Sequence, residues 1–140
     1  MGPEVRRLTT RHATVAAVMS FLLQPIPAAD ELVVVPIHYW FVGRVARARG
    51  VGLRKAPWRA ATKIIWGGAG VRLVANFSLG LIPVAGALSN AVTAAALTEY
   101  LGRYLDVAFD NPDVPPPDVT MRDLKAAMMR AIKREKKAEA

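Results

Sequence analysis

Cysteine is absent from this chain of 140 residues, and histidine occurs only at positions 12 and 38. Disulfides and thiolate metal sites are therefore excluded, and neither histidine has the spacing of a metal-binding motif such as His-Glu-x-x-His. His38 stands beside Tyr39 and Trp40 in an apolar segment, and we interpret it as a hydrogen-bonded core residue. The acidic residues are scattered, with no obvious pair for acid–base chemistry. We therefore expect no metal, no other cofactor and no enzymatic activity.

Two other signatures of chemistry are missing as well. The glycine-rich residues 67–70 lack the Gly-Lys-Ser/Thr that completes a phosphate-binding loop, and no strand is expected before them. Ser78 and Ser89 have no Gly-x-Ser-x-Gly setting. We therefore do not expect this chain itself to bind nucleotide or to use either serine as a nucleophile.

Charged residues are missing from residues 73–98, and Pro83 interrupts this apolar run. Inside a helix, proline removes a hydrogen bond and clashes with the preceding turn, whereas it is well placed in a first turn. We therefore predict that two helices meet at an uncharged corner that contains Leu79, Leu81, Ile82 and Pro83. This corner is also a candidate for contact with a membrane or a partner.

An Ile-Pro pair also occurs earlier in the chain, at residues 26–27. At a constant offset, Leu23, Ile26, Pro27, Ala29 and Leu32 match Leu79, Ile82, Pro83, Ala85 and Leu88. An internal repeat of this kind predicts two helical hairpins that each turn at an Ile-Pro corner. Chance similarity between apolar segments that contain proline is the alternative.

The predicted fold class is all-α, with four helices arranged as these two hairpins. The helices are expected over about residues 9–24, 28–49, 57–81 and 84–109. Thr9 or Thr10 is the expected N-cap of the first helix. The second helix contains Pro36, and a short strand over residues 32–35 is its alternative. We prefer the helix, because acidic residues at its start and arginines at its end suit the helix dipole.

A fifth helix is predicted after a proline-rich segment. We expect a helical hairpin domain over residues 1–110, a semi-rigid linker over 111–119 and a basic amphipathic helix over 120–140. Thr120 and Asp123 form a variant of the capping box at its start. Candidate binding residues on its basic face are Arg130, Lys133 and Arg134. Such helices occur at membrane surfaces and in partner binding, and an ordinary packed helix with a charged end is the alternative.

The net charge is +8, and the whole excess lies in residues 1–72, which contain 11 basic and 3 acidic residues. Helices that alternate in direction would bring these charges to one end of a bundle, opposite both corners. The candidate membrane- or partner-binding residues at this basic end are Arg44, Arg47, Arg49, Arg54, Lys55, Arg59 and Lys63. Such an end suits anionic lipid headgroups. Alternatively, the corner at residues 79–88 dips into a membrane, or the apolar segments are simply the core of a soluble bundle.

The first residues imitate a signal peptide, since arginines precede an apolar run over residues 13–23. Pro25 and Pro27 crowd the cleavage site, and the repeat makes residues 23–32 part of the fold. We therefore expect residues 1–29 to be retained, with a cleaved and exported form as the alternative. No unbroken apolar run reaches the roughly 20 helical residues of a simple transmembrane span.

The corner motifs resemble a known family, the YcjF-type helical domain of unknown function. The resemblance is carried by Ile26-Pro27 with Asp30, by Arg47-Ala48-Arg49-Gly50-Val51, and by residues 81–86 with Asn90, Ala91, Thr98 and Gly102 downstream. It extends over residues 20–108, and the EcsC-type helical family is the second choice. The resemblance implies a domain that follows, or is encoded near, a translation-factor-like or dynamin-like GTPase, often at the bacterial inner membrane. This chain has no GTPase domain, so the implied GTPase is a separate protein, and the family offers no agreed catalytic residues.

The predicted function is that of a non-catalytic accessory or interaction module that works with a separate GTPase. We expect it in the cytoplasm, peripheral at the inner membrane, on an anionic surface. The alternative is a soluble basic bundle that binds an acidic protein partner or nucleic acid. Nucleic acid is less favoured, because the basic residues flank loops rather than present aromatic or groove-reading elements. A homo-oligomer is left open.

Overall fold

The computed structural model describes residues 1–23, 26, 28–79, 83–126 and 129, without the side chains of residues 76–79, 83 and 85. All regular structure in this part of the chain is helical, which confirms the predicted all-α class. The four long helices are α1 (Pro3–Leu23), α2 (Ala29–Ala48), α3 (Trp58–Leu79) and α4 (Pro83–Ala108). A short 3-10 turn, Leu53–Lys55, precedes α3.

The predicted start of α1 at Thr9 is wrong, because the helix begins at Pro3. Proline is favoured at the first helical position, where its missing amide leaves no hydrogen bond unmade. Glu4 follows in the first turn and suits the positive end of the helix dipole. Thr9 lies inside the helix and its hydroxyl donates to the carbonyl of Val5 at 2.8 Å.

The other helix bounds agree with the prediction to within about two residues. Helix α2 continues through Pro36, so the alternative of a strand over residues 32–35 is wrong. Helix α3 ends at Leu79 and α4 begins at Pro83, which confirms that the apolar run is two helices. The corner residues Leu81 and Ile82 lie outside the described part of the chain.

The helices alternate in direction. At one end, Arg49 follows α2 and pairs with Asp106 near the end of α4, at 2.6 Å. At the other end, Asp30 in the first turn of α2 accepts hydrogen bonds from Ser20 of α1 and Asn90 of α4. Helix α1 packs beside α2 and α4, and α3 closes the ring by packing beside the same two helices. The result is an up-down-up-down four-helix bundle whose two hairpins turn at the same end.

Two glycines allow close approach to α4. A Cβ atom at Gly102 would overlap the Thr9 side chain of α1. A Cβ atom at Gly68 of α3 would overlap the Leu97 side chain. Gly102 is one of the residues that carry the family resemblance, and its place here is a helix–helix contact.

The segment after α4 packs against the bundle. The Tyr104 hydroxyl donates to the carbonyl of Val114 at 3.0 Å, and Val119 is buried in the main hydrophobic cluster. Leu124 is buried in the same cluster. The proline-rich residues between α4 and Thr120 therefore follow the bundle surface.

The start of the fifth helix has the predicted capping box. The Thr120 amide donates to Asp123 Oδ2 at 2.9 Å, and the Asp123 amide donates to Thr120 Oγ1 at 3.3 Å. Residues 121–126 are helical. The candidate residues Arg130, Lys133 and Arg134 lie outside the described part of the chain.

Two aromatic contacts mark a common level across the bundle. The His12 ring of α1 meets Trp40 of α2, with centroids 5.2 Å apart. Trp66 Nε1 of α3 donates to the Tyr39 hydroxyl at 3.2 Å. We use this level to divide the molecule: the corner half is residues 15–40 and 66–98, and the basic half is residues 1–14, 41–65 and 99–126.

The hydrophobic core is concentrated in the basic half. There, α1, α2, α3 and α4 contribute most of a large cluster centred on Phe41, Ile64, Ile65, Leu101 and Leu105. The corner half has its own small cluster, formed by Ala16, Val34 and Ala94 with Ile37 packed against it. Among the described residues, the corner half therefore contributes fewer large buried apolar side chains than the basic half.

Candidate functional site

The structure places the predicted basic residues in the basic half, with Arg44 about one turn from the boundary at Trp40 and the others nearer the end opposite the corners. Arg44 and Arg47 lie near the end of α2, Arg54 and Lys55 in the 3-10 turn, and Arg59 and Lys63 in the first turns of α3. All six are exposed, whereas Arg49 is half-buried. The loops and helix ends of this half therefore present an accessible basic surface.

Acidic side chains that the sequence analysis did not assign to this end lie there too. Arg49 pairs with Asp106 at 2.6 Å and with Asp110 at 3.2 Å. Lys63 pairs with Asp118 at 2.9 Å. The basic end is therefore less positive than the charge count of residues 1–72 suggests.

A cavity of about 720 Å³ opens at this end, between the start of α3 and the proline-rich segment. Its lining includes Arg54, Arg59, Asp113, Trp58 and Tyr104, and no histidine or serine. Trp58 Nε1 already donates to a backbone carbonyl at 2.6 Å, as does the Tyr104 hydroxyl at 3.0 Å. Within the described part of the chain, no group of three or more His, Asp or Glu side chains could hold a metal ion.

The corner half contains three charged residues, and all three are buried. Arg72 of α3 is 0% exposed, and Asp30 and Glu31 of α2 are 2% and 9% exposed. The Arg72 guanidinium pairs with Asp30 at 2.8 Å and with Glu31 at 3.1 Å. An isolated charge inside a protein is very costly, so this mutual pairing is what allows the three to be buried.

Polar residues from the other two helices complete this buried cluster. Arg72 donates to the Ser20 hydroxyl of α1 and, at 3.0 Å, to the side-chain oxygen of Asn90 of α4. Asn90 Nδ2 donates to Asp30 at 2.7 Å. We call Ser20, Asp30, Glu31, Arg72 and Asn90 the Arg72 cluster. It ties all four helices together at the corner end.

Burial changes the titration of this cluster. It raises the pKa of Glu31 to about 7, against the opposing effect of Arg72 and with the support of Asp30. It also lowers the pKa of Arg72, while the carboxylates of Glu31 and Asp30 act in the opposite direction. With both carboxylates ionised the cluster carries one net negative charge, and with Glu31 protonated it is neutral.

His38 is buried one level further towards the basic half. Its Nε2 shares a hydrogen bond of 2.9 Å with the Thr98 hydroxyl, which in turn donates to the Ala94 carbonyl. This confirms the prediction of a hydrogen-bonded core histidine. Burial lowers the pKa of His38 to about 3, and the charge of Arg72 acts in the same direction. The ring is therefore neutral at physiological pH.

Among its described residues, the outer surface of the corner half is largely apolar. Large exposed hydrophobic residues occur on every helix: Val15, Val18, Phe21 and Leu22 on α1, Leu32 and Trp40 on α2, Trp66 and Val74 on α3, and Val84 and Leu88 on α4. On α1, Val15, Val18 and Leu22 lie on this exposed side, whereas Thr9, His12 and Ser20 are buried. We call these exposed hydrophobic residues of the corner half, from Val15 on α1 to Leu88 on α4, the apolar girdle.

The fold and this site define a class: an up-down-up-down four-helix bundle with charges inside and apolar residues outside in one half. Comparison with family models, with curated proteins and with solved structures finds no match to this chain. The YcjF-type and EcsC-type resemblances therefore stay predictions. Among the described helices, none combines the length and the hydropathy needed to cross a membrane.

Sequence reasoning missed the Arg72 cluster. In the sequence, Asp30 and Glu31 suit the helix dipole, Asp30 also belongs to the family resemblance, and Arg72 enters only the charge count. A signal was available, because Arg72 is the only charged residue within residues 64–98. A lone charge in a long apolar stretch needs a partner if the stretch is buried, and the acidic pair in the other hairpin is the natural candidate.

Proposed function

We propose that the protein is a non-catalytic, membrane-associated module whose corner half lies within one leaflet of a membrane. The observation that carries the proposal is the inverted polarity of the corner half, with its charges inside and its apolar residues outside. Exposed apolar surface on this scale is unfavourable in water and marks an interaction site. In a hydrocarbon environment, inward-facing paired charges and outward-facing apolar side chains are the expected arrangement.

The apolar girdle is distributed around the bundle rather than on one side. Leu32 of α2, Val74 of α3 and Val84 of α4 are all exposed, as is Leu22 of α1. A second copy or a protein partner would cover one face of the bundle. A surrounding apolar medium covers all four helices at once, so the distribution favours lipid.

The size of the girdle fits one leaflet. The girdle rises about 12 Å from Leu32 to Trp40 on α2 and about 12 Å from Trp66 to Val74 on α3, at about 1.5 Å per residue. Half of the hydrocarbon core of a bilayer is about 15 Å thick. Trp40 and Trp66, both exposed, lie at the boundary with the basic half, which is where tryptophan is enriched in membrane proteins.

The part of the molecule that contacts the membrane in this proposal differs from the part expected from the sequence. From the sequence, the basic end and the fifth helix are the expected contacts, with insertion of the corner as an alternative. The buried charges and the apolar girdle support the corner. The far basic end then stays in water, where it is accessible to a partner.

A separately encoded GTPase is the partner we propose, on the resemblance alone. The same resemblance suggests the cytoplasmic face of the bacterial inner membrane. A GTPase gene adjacent to the gene for this chain would support this partner. A neighbourhood made only of unrelated hydrolase genes would count against it.

The membrane proposal is tested by two matched variants on one helix. Val84 and Val107 lie on the exposed surface of α4, 77% and 52% exposed, in the corner half and the basic half respectively. In vesicle flotation, V84D should reduce binding at least about tenfold, because a carboxylate in hydrocarbon costs roughly 2.5–3.5 kcal/mol. V107D should bind like the wild type. Binding should persist at 1 M salt, since apolar insertion is not screened.

Three outcomes would overturn the proposal. One is a wild-type protein that does not float with vesicles of any composition. Another is equal loss in V84D and V107D, and the third is full release by salt, which would indicate surface binding through the basic end. A stable oligomer in water that V84D dissociates, without vesicle binding, would assign the girdle to protein contacts.

Tryptophan fluorescence gives a second readout. In variants that keep one tryptophan and replace the other two by phenylalanine, Trp40 and Trp66 should shift to the blue and be quenched by brominated lipid. Trp58 lies in the basic half beside the 3-10 turn and is the matched control. Quenching of Trp58 alone would mean that the protein meets the membrane with its basic end.

A further inference from the structure

We propose that Arg11 and Arg44 bind the phosphate group of an anionic phospholipid, on the face that α1 and α2 share. The site lies at the boundary between the corner half and the basic half. The inference rests on the proposed membrane function and adds to it the chemical class of lipid.

Aromatic contacts bring the two arginines together from different helices. The His12 ring lies 5.2 Å from the Trp40 ring and 5.0 Å from the Phe41 ring, measured between centroids. Arg11 immediately precedes His12 on α1, and Arg44 lies one turn beyond Trp40 on α2. Both guanidinium groups therefore extend from positions adjacent to the same buried imidazole.

The guanidinium groups of Arg11 and Arg44 are free to bind an anion, as far as the described residues show. Arg11 and Arg44 are exposed and form no ion pair within the described part of the chain, in contrast to Arg49. Arg7 and Arg47 lie one turn further along the same helices and are exposed as well. The α1–α2 face therefore carries a patch of four arginines, which is complementary to an anion.

The depth of the site matches the phosphate layer. Trp40 lies one turn closer to the corner than Arg44, and the exposed Val15 lies one turn closer than Arg11. If the tryptophan lies at the edge of the hydrocarbon, the next turn lies among the headgroups. Guanidinium groups bind phosphate oxygens through paired, charge-assisted hydrogen bonds, so arginine suits this role better than lysine.

His12 provides a reporter inside the site. Its Nδ1–H donates to the Leu8 carbonyl at 2.8 Å, and its Nε2 is buried without a hydrogen-bond partner in the described structure. Burial lowers the pKa of His12, the Leu8 carbonyl opposes this, and the charges of Arg44 and Arg11 lower it further. The other charged or titratable neighbour in its environment is His38, which is neutral and buried. A phosphate held by the two arginines would offset their charges and raise the pKa of His12.

The experiment measures lipid preference and the His12 pKa together. Vesicles of phosphatidylcholine alone are compared with vesicles that contain phosphatidylglycerol, and the imidazole is titrated by NMR in bicelles of both compositions. The wild type should prefer the anionic vesicles, and its His12 pKa should rise only in the anionic bicelles. The double variant R11Q/R44Q should lose roughly thirtyfold in anionic binding, at about a factor of five for each arginine.

The control removes the same charge elsewhere. In R54Q/R59Q the charges removed lie in the 3-10 turn and in the first turn of α3, about two turns from Trp66, whereas Arg44 lies about one turn from Trp40. This variant should lose less than R11Q/R44Q, no more than about threefold, because salt screens charges beyond about 10 Å. All four arginines are exposed, so thermal unfolding should show that both variants fold normally. Equal losses of anionic-vesicle binding in the two variants would mean that the arginines attract the membrane only through their total charge, and would overturn the proposal.

The remaining outcomes separate this proposal from the membrane proposal. Equal binding to neutral and anionic vesicles, or an unchanged His12 pKa, overturns the site and leaves membrane insertion standing. Absence of binding to both vesicles overturns both proposals. A rise in the His12 pKa with millimolar glycerol phosphate, without lipid, would assign the site to a free phosphate ester instead.

Discussion

The two halves of this bundle differ in which side chains they bury between the four helices and which they expose. The basic half buries Phe41, Ile64, Leu101 and other large apolar residues, and presents charges to water. The corner half buries the Arg72 cluster with alanine, valine and Leu97, and presents leucine, valine and tryptophan outward. The same four helices thus change from one arrangement to the other within about one turn, at the level of His12 and Trp66.

Under the membrane proposal, the two halves would have different surroundings. Apolar burial stabilises a structure only against water, so the basic half needs an aqueous surrounding. Paired buried charges hold helices together in any surrounding, and small residues let the backbones approach closely where hydrophobic burial gives nothing. The proposed position at a water–hydrocarbon boundary would require this difference between the halves.

The largest effect is expected from breaking the central ion pair. R72M leaves Asp30 and Glu31 buried without their cation, and we expect a loss of about 3–5 kcal/mol in the free energy of unfolding. R103M removes a half-buried i,i+4 pair with Glu99 in the basic half, in which the two side chains are 34% and 12% exposed, and should cost less, about 1 kcal/mol. Urea denaturation measures both, and similar losses would erase the contrast between the halves.

The next effect concerns close packing in the basic half. G102A places a methyl group against the Thr9 side chain, and overpacking of this kind costs roughly 1–3 kcal/mol. The control is G70A, in the exposed surface of α3 with open space around it, which should stabilise the helix by up to about 1 kcal/mol. Thermal unfolding of the two variants should shift in opposite directions. A stabilised G102A would mean that α1 and α4 are less tightly packed there.

A pH dependence is expected from Glu31 in the corner half. Its pKa is raised to about 7 in the folded protein from an ordinary value of 4.5, so the folded state holds this proton more tightly. The free energy of unfolding should therefore fall as the pH rises from about 4.5 to about 7. His38, whose pKa is lowered to about 3, gives the opposite slope below pH 6.5.

The variant E31Q isolates the Glu31 contribution, because glutamine does not ionise. The difference in unfolding free energy between E31Q and the wild type should therefore change across this pH range. Urea denaturation at a series of pH values measures this difference. A constant difference for E31Q would show that the cluster does not hold this proton.

The smallest effect is expected at the surface of the basic half. Lys63 and Asp118 pair at 2.9 Å, but both side chains are more than half exposed. K63M should change the free energy of unfolding by no more than about 0.5–1 kcal/mol, because water and salt screen such pairs. A loss comparable to that of R72M would mean that the segment after α4 is held chiefly by this pair.

Much of the architecture was accessible from the sequence because it depends on local rules. Pro83 begins a helix, Thr120 and Asp123 cap another, and the charge-free run over residues 73–98 marks apolar segments. The first helix start was missed because Thr9 and Thr10 are good caps, and the weight of proline at the first helical position was not given to Pro3. The correct and the incorrect predictions of helix ends both depend on interactions between residues that are close in the sequence.

The sequence by itself determined the helices, their connections and the axial separation of charge, because these follow from proline geometry, periodicity and chain direction. Only the tertiary structure decided which way the apolar faces point. Asp30 and Arg72 meet across two helices, and that meeting turns the polar side of α2 inward and leaves the girdle outside. Periodicity reveals that a helix has two faces, but the choice of the inner face depends on which side chains from the other helices can satisfy it.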